Sequence, residues 1–554
     1  MFEIALRGHD ETQDSANPGI FRGLVNLLAE IDSTLKDHIS KSNNRVFMGL
    51  SKTIQNELLD SIYEVCRTLI LDEINKAHYI AIQADETTDS ATLSQLVFIV
   101  RYELNGKIQE RFLSFLQPEN HTADGISKCL LEELTKIKLD ETPEKLIAQS
   151  YDGASVMSGR NNGVQAKIKE IYKNANYIHC YAHQLNLIIE RAASQNKQVK
   201  VFFCNLDGFS TFFTRSPKRT AILDEVVKNR LPRSAPTRWN FKSRCVVSVF
   251  KYKKDLITCL TRIVDDESSD QSTIRKAVGL KHILNDYDFN YWLYFFNKIM
   301  PHCEILYNQL QRREIDSIKM QSCVSSFKSS IQHVRNSTDY DYYNENSDND
   351  DEEEEKHSRQ RNKRPRYEDK HKMVAKEVCD IIINNIDDRF LFSDHLSIAL
   401  LFQPHLFSTY QHSFPETEFR MAVKTFNLDS IAFKHELVVL YNRPDFGTAS
   451  CALTLLQCFY ENNLTTTFVE SVKLLKIICT IPMTTAESER CFSTLKRIKT
   501  FSRNTMQESR LCALAMCSIE KQLLTSTPNF NELVIDHFTH CKERRMDFIF
   551  KQVN

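Results

Sequence analysis

The chain has 554 residues, and its 71 Lys and Arg against 72 Asp and Glu leave a formal net charge of −1. That balance excludes a globally basic nucleic-acid-coating protein, so any DNA surface has to be local. Glycine (12) and proline (13) are scarce, well under the usual shares of about 7% and 5%, which points to a helix-rich chain. No apolar run reaches the roughly 18 residues needed to cross a bilayer. The 16 cysteines include no CxxC pair, and with no secretory signal at the N-terminus they read as reduced thiols of a soluble intracellular protein. The length allows roughly three or four domain-sized units.

Residues 1–20 are polar and carry no targeting pattern. Leu24, Leu27, Leu28 and Ile31 share one face of a helix predicted over Phe21–Ile39, and Leu58, Leu59, Ile62 and Val65 share one face of a second over Lys52–Ala77. A β-rich stretch follows. Tyr79–Asp85 reads as a strand ending in an acid, and the strands Leu96–Leu104 and Ile108–Leu116 flank Asn105-Gly106, a strong hairpin signal. A helix over Gly125–Lys138 leads to a fourth strand, Leu146–Tyr151, which runs into Asp152-Gly153. Tyr177–Ala182 makes a fifth strand, with the helix Gln184–Ala193 behind it. A hairpin, a crossover helix and further strands define an α/β sheet with mixed strand directions.

From about Cys204 to Lys476 the pattern is almost wholly helical, with one interruption at Asn336–Asp369. There the acidic run Asp348–Glu355 precedes RQRNKRPR at Arg359–Arg366, too little apolar surface to offset the entropy of ordering, so a disordered loop is expected. Its basic half reads as a nuclear localisation signal or nucleic-acid contact, or as a solvated linker. Near the C-terminal end lies TTAESERCFSTLKRIK, Thr484–Lys499. Thr484 and Glu487 have capping-box spacing, and Cys491, Phe492, Leu495 and Ile498 recur with helical period. Leu511, Leu514 and Met516 are the apolar positions of the helix predicted after it.

Asp85 and Asp152 each close a buried-looking strand, where the ligands of open α/β sheets collect. A carboxylate is expensive to desolvate there unless something pairs with it, and a divalent cation is a natural partner. With Glu489 from a later helix they offer the hard oxygen ligands of a Mg²⁺ or Mn²⁺ pair, which suits in-line phosphoryl displacement. Read singly, each aspartate is also a turn residue, opening DETTD and DGAS, and Glu489 also fits a solvated charged helix.

Four motifs in order carry a resemblance: DETTDS at Asp85–Ser90, YDGASVMSG at Tyr151–Gly159, HCYAHQLNL at His179–Leu187 and TTAESERCFS at Thr484–Ser493. Over roughly residues 15–525 the chain resembles the transposases of the hAT superfamily, including their domesticated relatives among zinc finger MYM-type proteins. The resemblance implies an RNase H-like catalytic core interrupted by a large α-helical insertion, with a C-terminal dimerisation region that completes the core. The boundaries expected are a helical region at 1–78, the first part of the core at 79–200, the insertion at 201–476 with its charged loop at 336–369, and the dimerisation region at 477–554.

Asp85, Asp152 and Glu489 then become the DDE triad, holding two Mg²⁺ or Mn²⁺ ions for DNA cleavage and strand transfer. Cys180 and His183 match the family's CxxH pair, with His183 implied to touch a DNA hairpin. Thr237-Arg238-Trp239 resembles the Arg-Trp element, with Trp239 stacking on a flipped base and Arg238 holding a phosphate; Trp239 reads equally as a core anchor. Phe492, Leu495, Ile498, Leu511 and Leu514 are the expected dimerisation residues. The partners implied are DNA, as transposon ends or hairpins, and a second copy of the chain, in the nucleus and without a membrane. Complete members begin with a BED- or TTF-type zinc finger, and this chain is expected to lack it. The alternative is a domesticated or truncated remnant, a dimerising nuclear factor without catalysis.

Overall fold

The structure is a computed structural model that describes the chain apart from residues 1–5, 9, 12–14, 41–48, 90–91, 233–238, 338–363, 391–393, 444–445, 448, 501–502, 504 and 543–554. Strands β1 (Ile80–Thr88), β2 (Ser94–Leu104), β3 (Lys107–Leu116), β4 (Leu146–Tyr151) and β5 (Asn176–His179) form one sheet in the spatial order β3-β2-β1-β4-β5. β2 runs antiparallel to both β1 and β3, while β4 is parallel to β1 and β5 to β4. The hairpin forms where Asn105-Gly106 predicts it. Both residues take positive φ, 51° and 74°, as a two-residue type I′ turn requires. Gly106 is also closely approached: a Cβ there would stand 3.3 Å from the Tyr460 ring, and Gln457 donates to the Gly106 carbonyl at 2.9 Å.

β2 is buried along nearly its whole length, as expected of a strand covered on both faces. The helices Lys52–Lys76, Ala123–Lys136, Ala486–Ile498 and Glu508–Ile519 contribute Ile70, Leu130, Leu495 and Met516 to the same apolar core as the strands. Polar bonds tie the late helices to the early sheet. Arg111 on β3 holds Glu73 at 2.8 Å and Glu520 at 2.9 Å, and Glu520 also accepts from the Phe112 amide at 2.8 Å. Arg101 on β2 reaches Glu110 at 2.9 Å and the Cys479 carbonyl at 3.0 Å. Buried charges of this kind are costly unless paired, so the sheet is complete only with the C-terminal segment in place.

The chain divides into two compact units. One comprises Met1–His179, Leu456–Thr467 and Val472–Asn554, and the other Cys180–Leu455 with Phe468–Ser471. The second unit's secondary structure is helical throughout among the described residues. Aromatic side chains fill part of its core: Phe202 stacks on Phe296 at 5.5 Å, and Trp292 meets Phe295 edge-on at 5.6 Å.

Several element boundaries differ from expectation. The first predicted helix is two, Ile20–Ile31 and Ser33–Ser40, because Asp32 between them is extended and its side chain caps the second through the Thr34 amide. The fifth strand stops at His179 and a helix begins at Tyr181. The acidic run Asp348–Glu355 and residues 359–363 lie outside the described residues. The helix Arg364–Phe390, however, begins inside the stretch read as loop. Among the described residues no helix is long and apolar enough to cross a membrane.

Candidate active site at the strand ends

The last parallel pair of β1 and β4 joins Gln83 to Ser150. Two residues further along each chain stand Asp85, still within β1, and Asp152, just past the end of β4. Asp85 does not end β1, which continues to Thr88 because β2 goes on pairing with it. Asp85 is thus where the parallel pairing stops and the sheet opens. Both aspartates are half-buried. The Asp85 carboxylate accepts from the Glu86 amide at 2.9 Å, and that of Asp152 from the Ala154 amide at 3.2 Å.

The backbone around Asp152 is braced from three directions. The Tyr177 hydroxyl donates to the Asp152 carbonyl at 2.9 Å. Tyr151 is fully buried and stacks on Tyr177 at 6.1 Å, and its burial pushes the phenol pKa well above the usual value. After the aspartate the chain folds back so tightly that a Cβ on Gly163 would stand 2.4 Å from the Gly159 nitrogen. Gly163 is therefore needed for close approach of backbone to backbone, and Gly159, the last residue of the YDGASVMSG motif, is itself tight, a Cβ there standing 2.9 Å from the Ser155 carbonyl.

Glu489 stands half-buried on the helix Ala486–Ile498, which packs against β1 and β2 through Cys491, Phe492, Leu495 and Ile498. The expected capping box does not form. The cap position is Thr485, without a side-chain cap bond, and Glu487 is buried against Arg490 instead. Lys496 and Arg497 are exposed, but Lys499 is buried in an ion pair with Asp89. Sequence reasoning missed that pair, although Asp89 lies within DETTDS and Lys499 closes the TTAESER stretch.

Carboxylates are the donor type that Mg²⁺ and Mn²⁺ prefer, and the register of β1 and β4 sets two of them at equivalent positions beyond its last parallel pair. Among the described residues no three His, Cys, Asp or Glu side chains are gathered into a group that could hold an ion. The pair Asp85 and Asp152 fits the donor chemistry, and Glu489 does not close the set in this conformation.

The remaining expected contacts are distributed differently. His183 is half-buried in the first turn of the helix Tyr181–Gln195, and Cys180 is buried just before it. Arg238 lies outside the described residues; Trp239 opens the helix Trp239–Lys251, and its side chain lies outside them too. The five expected dimerisation residues sit in or against the chain's own core. Phe492, Leu495, Ile498 and Leu511 are buried in the chain's own core and Leu514 is half-buried against it. Their periodic apolar face is satisfied by the sheet.

The sheet and the helices that close it define an α/β domain of RNase-like class. Residues 2–163 match the family described as ZMYM1/FAM200, RNase-like domain, and residues 458–523 match the hAT family C-terminal dimerisation region. Over those two stretches the chain is similar to these families. It is 21% identical over 511 residues to the human protein named 52 kDa repressor of the inhibitor of the protein kinase, covering 85% of this chain and 65% of that protein. The mouse protein of the same name is 21% identical over 510 residues, with the same coverage. The chain thus spans about two thirds of the length of these curated relatives.

Proposed function

We propose that this protein is a hAT transposase-like DNA-processing factor whose RNase H-like core, interrupted by the helical unit, cleaves and joins DNA with a divalent metal. The observation that carries this reading is the equivalent placement of Asp85 and Asp152 beyond the Gln83–Ser150 pair, on a sheet against which the helix bearing Glu489 packs. Bound there, Mg²⁺ or Mn²⁺ would supply charge stabilisation for phosphoryl transfer, with Asp85, Asp152 and Glu489 as the residues that would hold it. The two aspartates provide ligands from rigid strand ends. Glu489 completes the set by turning its side chain toward them. DNA is the substrate, the nucleus the place of action, and self-association through the C-terminal region the working state.

A second reading is a self-associating factor that no longer performs the chemistry. What favours it is that each aspartate spends an oxygen on a nearby backbone amide of its own segment. The relatives it resembles, moreover, carry the name of a repressor. Calorimetry with Mn²⁺ on the parent and on Asp85→Ala/Asp152→Ala separates the two. Binding in the parent that is lost in the double variant supports the metal-dependent reading. Equal binding in both, or none in either, leaves the second.

A further inference from the structure

Between positions 228 and 254 the sequence holds nine Lys and Arg and no Asp or Glu, in a chain whose net charge is −1. So one-signed a run makes a local positive field on a molecule that is neutral overall. Its described residues lie in the helical unit. Lys228 follows the helix Pro217–Val226 in the left-handed region, at φ 52°. The run resumes in the helix Trp239–Lys251 and passes into the helix Lys253–Asp265.

The two ends of the run meet. The Asn229 side-chain amide donates to the Tyr252 hydroxyl at 3.3 Å, and the Lys251 ammonium lies 5.1 Å from the centre of the Tyr252 ring. Tyr252 barely interrupts the helices it joins: its amide donates to the Ser248 carbonyl at 3.0 Å, and its own carbonyl takes the Leu256 amide at 2.8 Å. At about 100° per residue, Tyr252 therefore falls to one side of Lys251 and Lys254 about 60° to the other. Lys228, Lys251 and Lys254 are exposed and make no ion pair among the described residues. Arg230, by contrast, is engaged with Asp224 at 3.0 Å. Asp255 stands exposed one turn beyond Lys251, an acid set against the three lysines.

We propose that the surface around Tyr252 binds the phosphate backbone of a nucleic acid. The inference rests on the reading of DNA as the substrate, and gives that DNA a contact on residues other than the strand-end acids. Phosphate oxygens are held by Lys ammonium groups and by neutral donors such as Tyr and Asn side chains. Lys228, Lys251 and Lys254 supply the charge. The Tyr252 hydroxyl accepts from Asn229 and so keeps its own hydrogen to donate outward. The bond from Asn229, with Lys251 beside it, draws the phenol pKa below its ordinary 10.0 and strengthens it as a donor. Lys251 and Lys254 stand to one side of Tyr252, while Lys228 comes with Asn229 across its hydroxyl, so the charge is drawn out in a row. A row of cations broken by an aromatic ring suits a polynucleotide, in which phosphates alternate with bases that stack on such rings.

Fluorescence anisotropy of a labelled DNA duplex with the full chain, between about 50 and 200 mM salt, tests this on the parent, Lys251→Gln/Lys254→Gln and Tyr252→Phe. The expected result is a parent that binds, and a lysine variant whose dependence of log K on log salt is shallower by about 2. Tyr252→Phe should weaken binding about threefold with the salt slope kept, since it removes a hydrogen bond and no charge. A lysine variant with the parent's affinity and slope overturns the surface while leaving DNA binding standing. A parent that binds no DNA overturns both the surface and the substrate reading. Labelled polyglutamate held as tightly as the duplex, and lost in the same variant, overturns the nucleic-acid assignment in favour of an acidic protein segment. Should the lysine variant not fold, Asp255→Asn replaces it: tighter DNA binding supports the surface, and unchanged binding sinks it.

Discussion

Asp89 and Lys499 lie 410 residues apart and meet as an ion pair in which both side chains are 1% exposed. Asp89 also accepts from the Leu93 amide at 3.0 Å and from Gln95 at 3.2 Å, so its carboxylate joins the β1–β2 turn to the end of the helix that carries Glu489. Glu489 stands ten residues before Lys499, about 15 Å along the helix axis. A slip of one residue at the pair would turn the helix by about 100° and re-aim Glu489. The buried pair therefore sets a register as well as closing a fold.

From this follows the first expectation. Asp89→Asn or Lys499→Met alone leaves one buried charge without its partner and destabilises the protein by about 3–5 kcal/mol. The double variant recovers a large part of that loss, because neither charge is then stranded. Urea denaturation of the four proteins yields the coupling directly. Single and double variants of equal stability would show that the pair is not coupled.

Most of the sheet was legible in the sequence, and the reasons are local. Asn105-Gly106 has only one comfortable turn, and Leu146–Tyr151 is bounded by a turn on either side, so the hairpin and β4 fall where expected. Asp152 was legible as the residue that follows β4, whereas Asp85 reads as a strand end in sequence but lies within β1 because β2 goes on pairing to Thr88. The Asp89–Lys499 pair was not, since no periodicity links residues so distant. The fate of the C-terminal apolar stripe was also hidden. A helical period shows that a face will be covered, and it does not say whether the cover is the chain's own sheet or a second copy.

That ambiguity has a measurable form. Leu511 is buried in the sheet's core, so Leu511→Ala should cost about 2–5 kcal/mol and leave the association state of the folded protein unchanged. Leu24, 42% exposed on a helix with no buried residue, should lose little on the same substitution. Thermal denaturation with light scattering reads both quantities. A Leu511→Ala protein of parental stability that runs as a monomer would return this residue to the interface.

The acids of TTAESER should separate by role. Glu487 is buried at 2% exposure and paired with Arg490, so Glu487→Gln should lower the melting temperature and leave the Mn²⁺ affinity of the folded protein nearly as it was. Glu489→Gln removes a half-buried carboxylate from the helix that packs against β1 and β2. It should weaken Mn²⁺ binding about tenfold or more and change the melting temperature little. The reverse pattern in paired calorimetry and melting experiments would mean that the third ligand has been assigned to the wrong glutamate.

Asp316 gives the helical unit a pH dependence of definite sign. Its carboxylate is almost wholly enclosed, and burial pushes its pKa above the ordinary 3.8, against the pull of amide bonds from Lys319, Ala452 and Leu453. A raised folded value means that the folded state holds the proton more tightly than the unfolded chain. Asp316 therefore contributes most to stability below pH 3.8, and that contribution falls as pH rises through the folded value. Asp316→Asn removes the titration, so across the same window the variant's stability should fall less steeply than the parent's. At neutral pH the variant is still the less stable. One oxygen of Asp316 takes the Lys319 amide at 2.9 Å and the other the Ala452 amide at 2.6 Å, capping two helices at once. Asparagine can accept on one side alone, and the amide left buried without a partner should cost about 1–3 kcal/mol. Urea denaturation at intervals between pH 4 and 7, roughly the window in which a raised carboxylate titrates, tests both the slope and the neutral deficit. Parallel curves for parent and variant would show that Asp316 does not carry the proton.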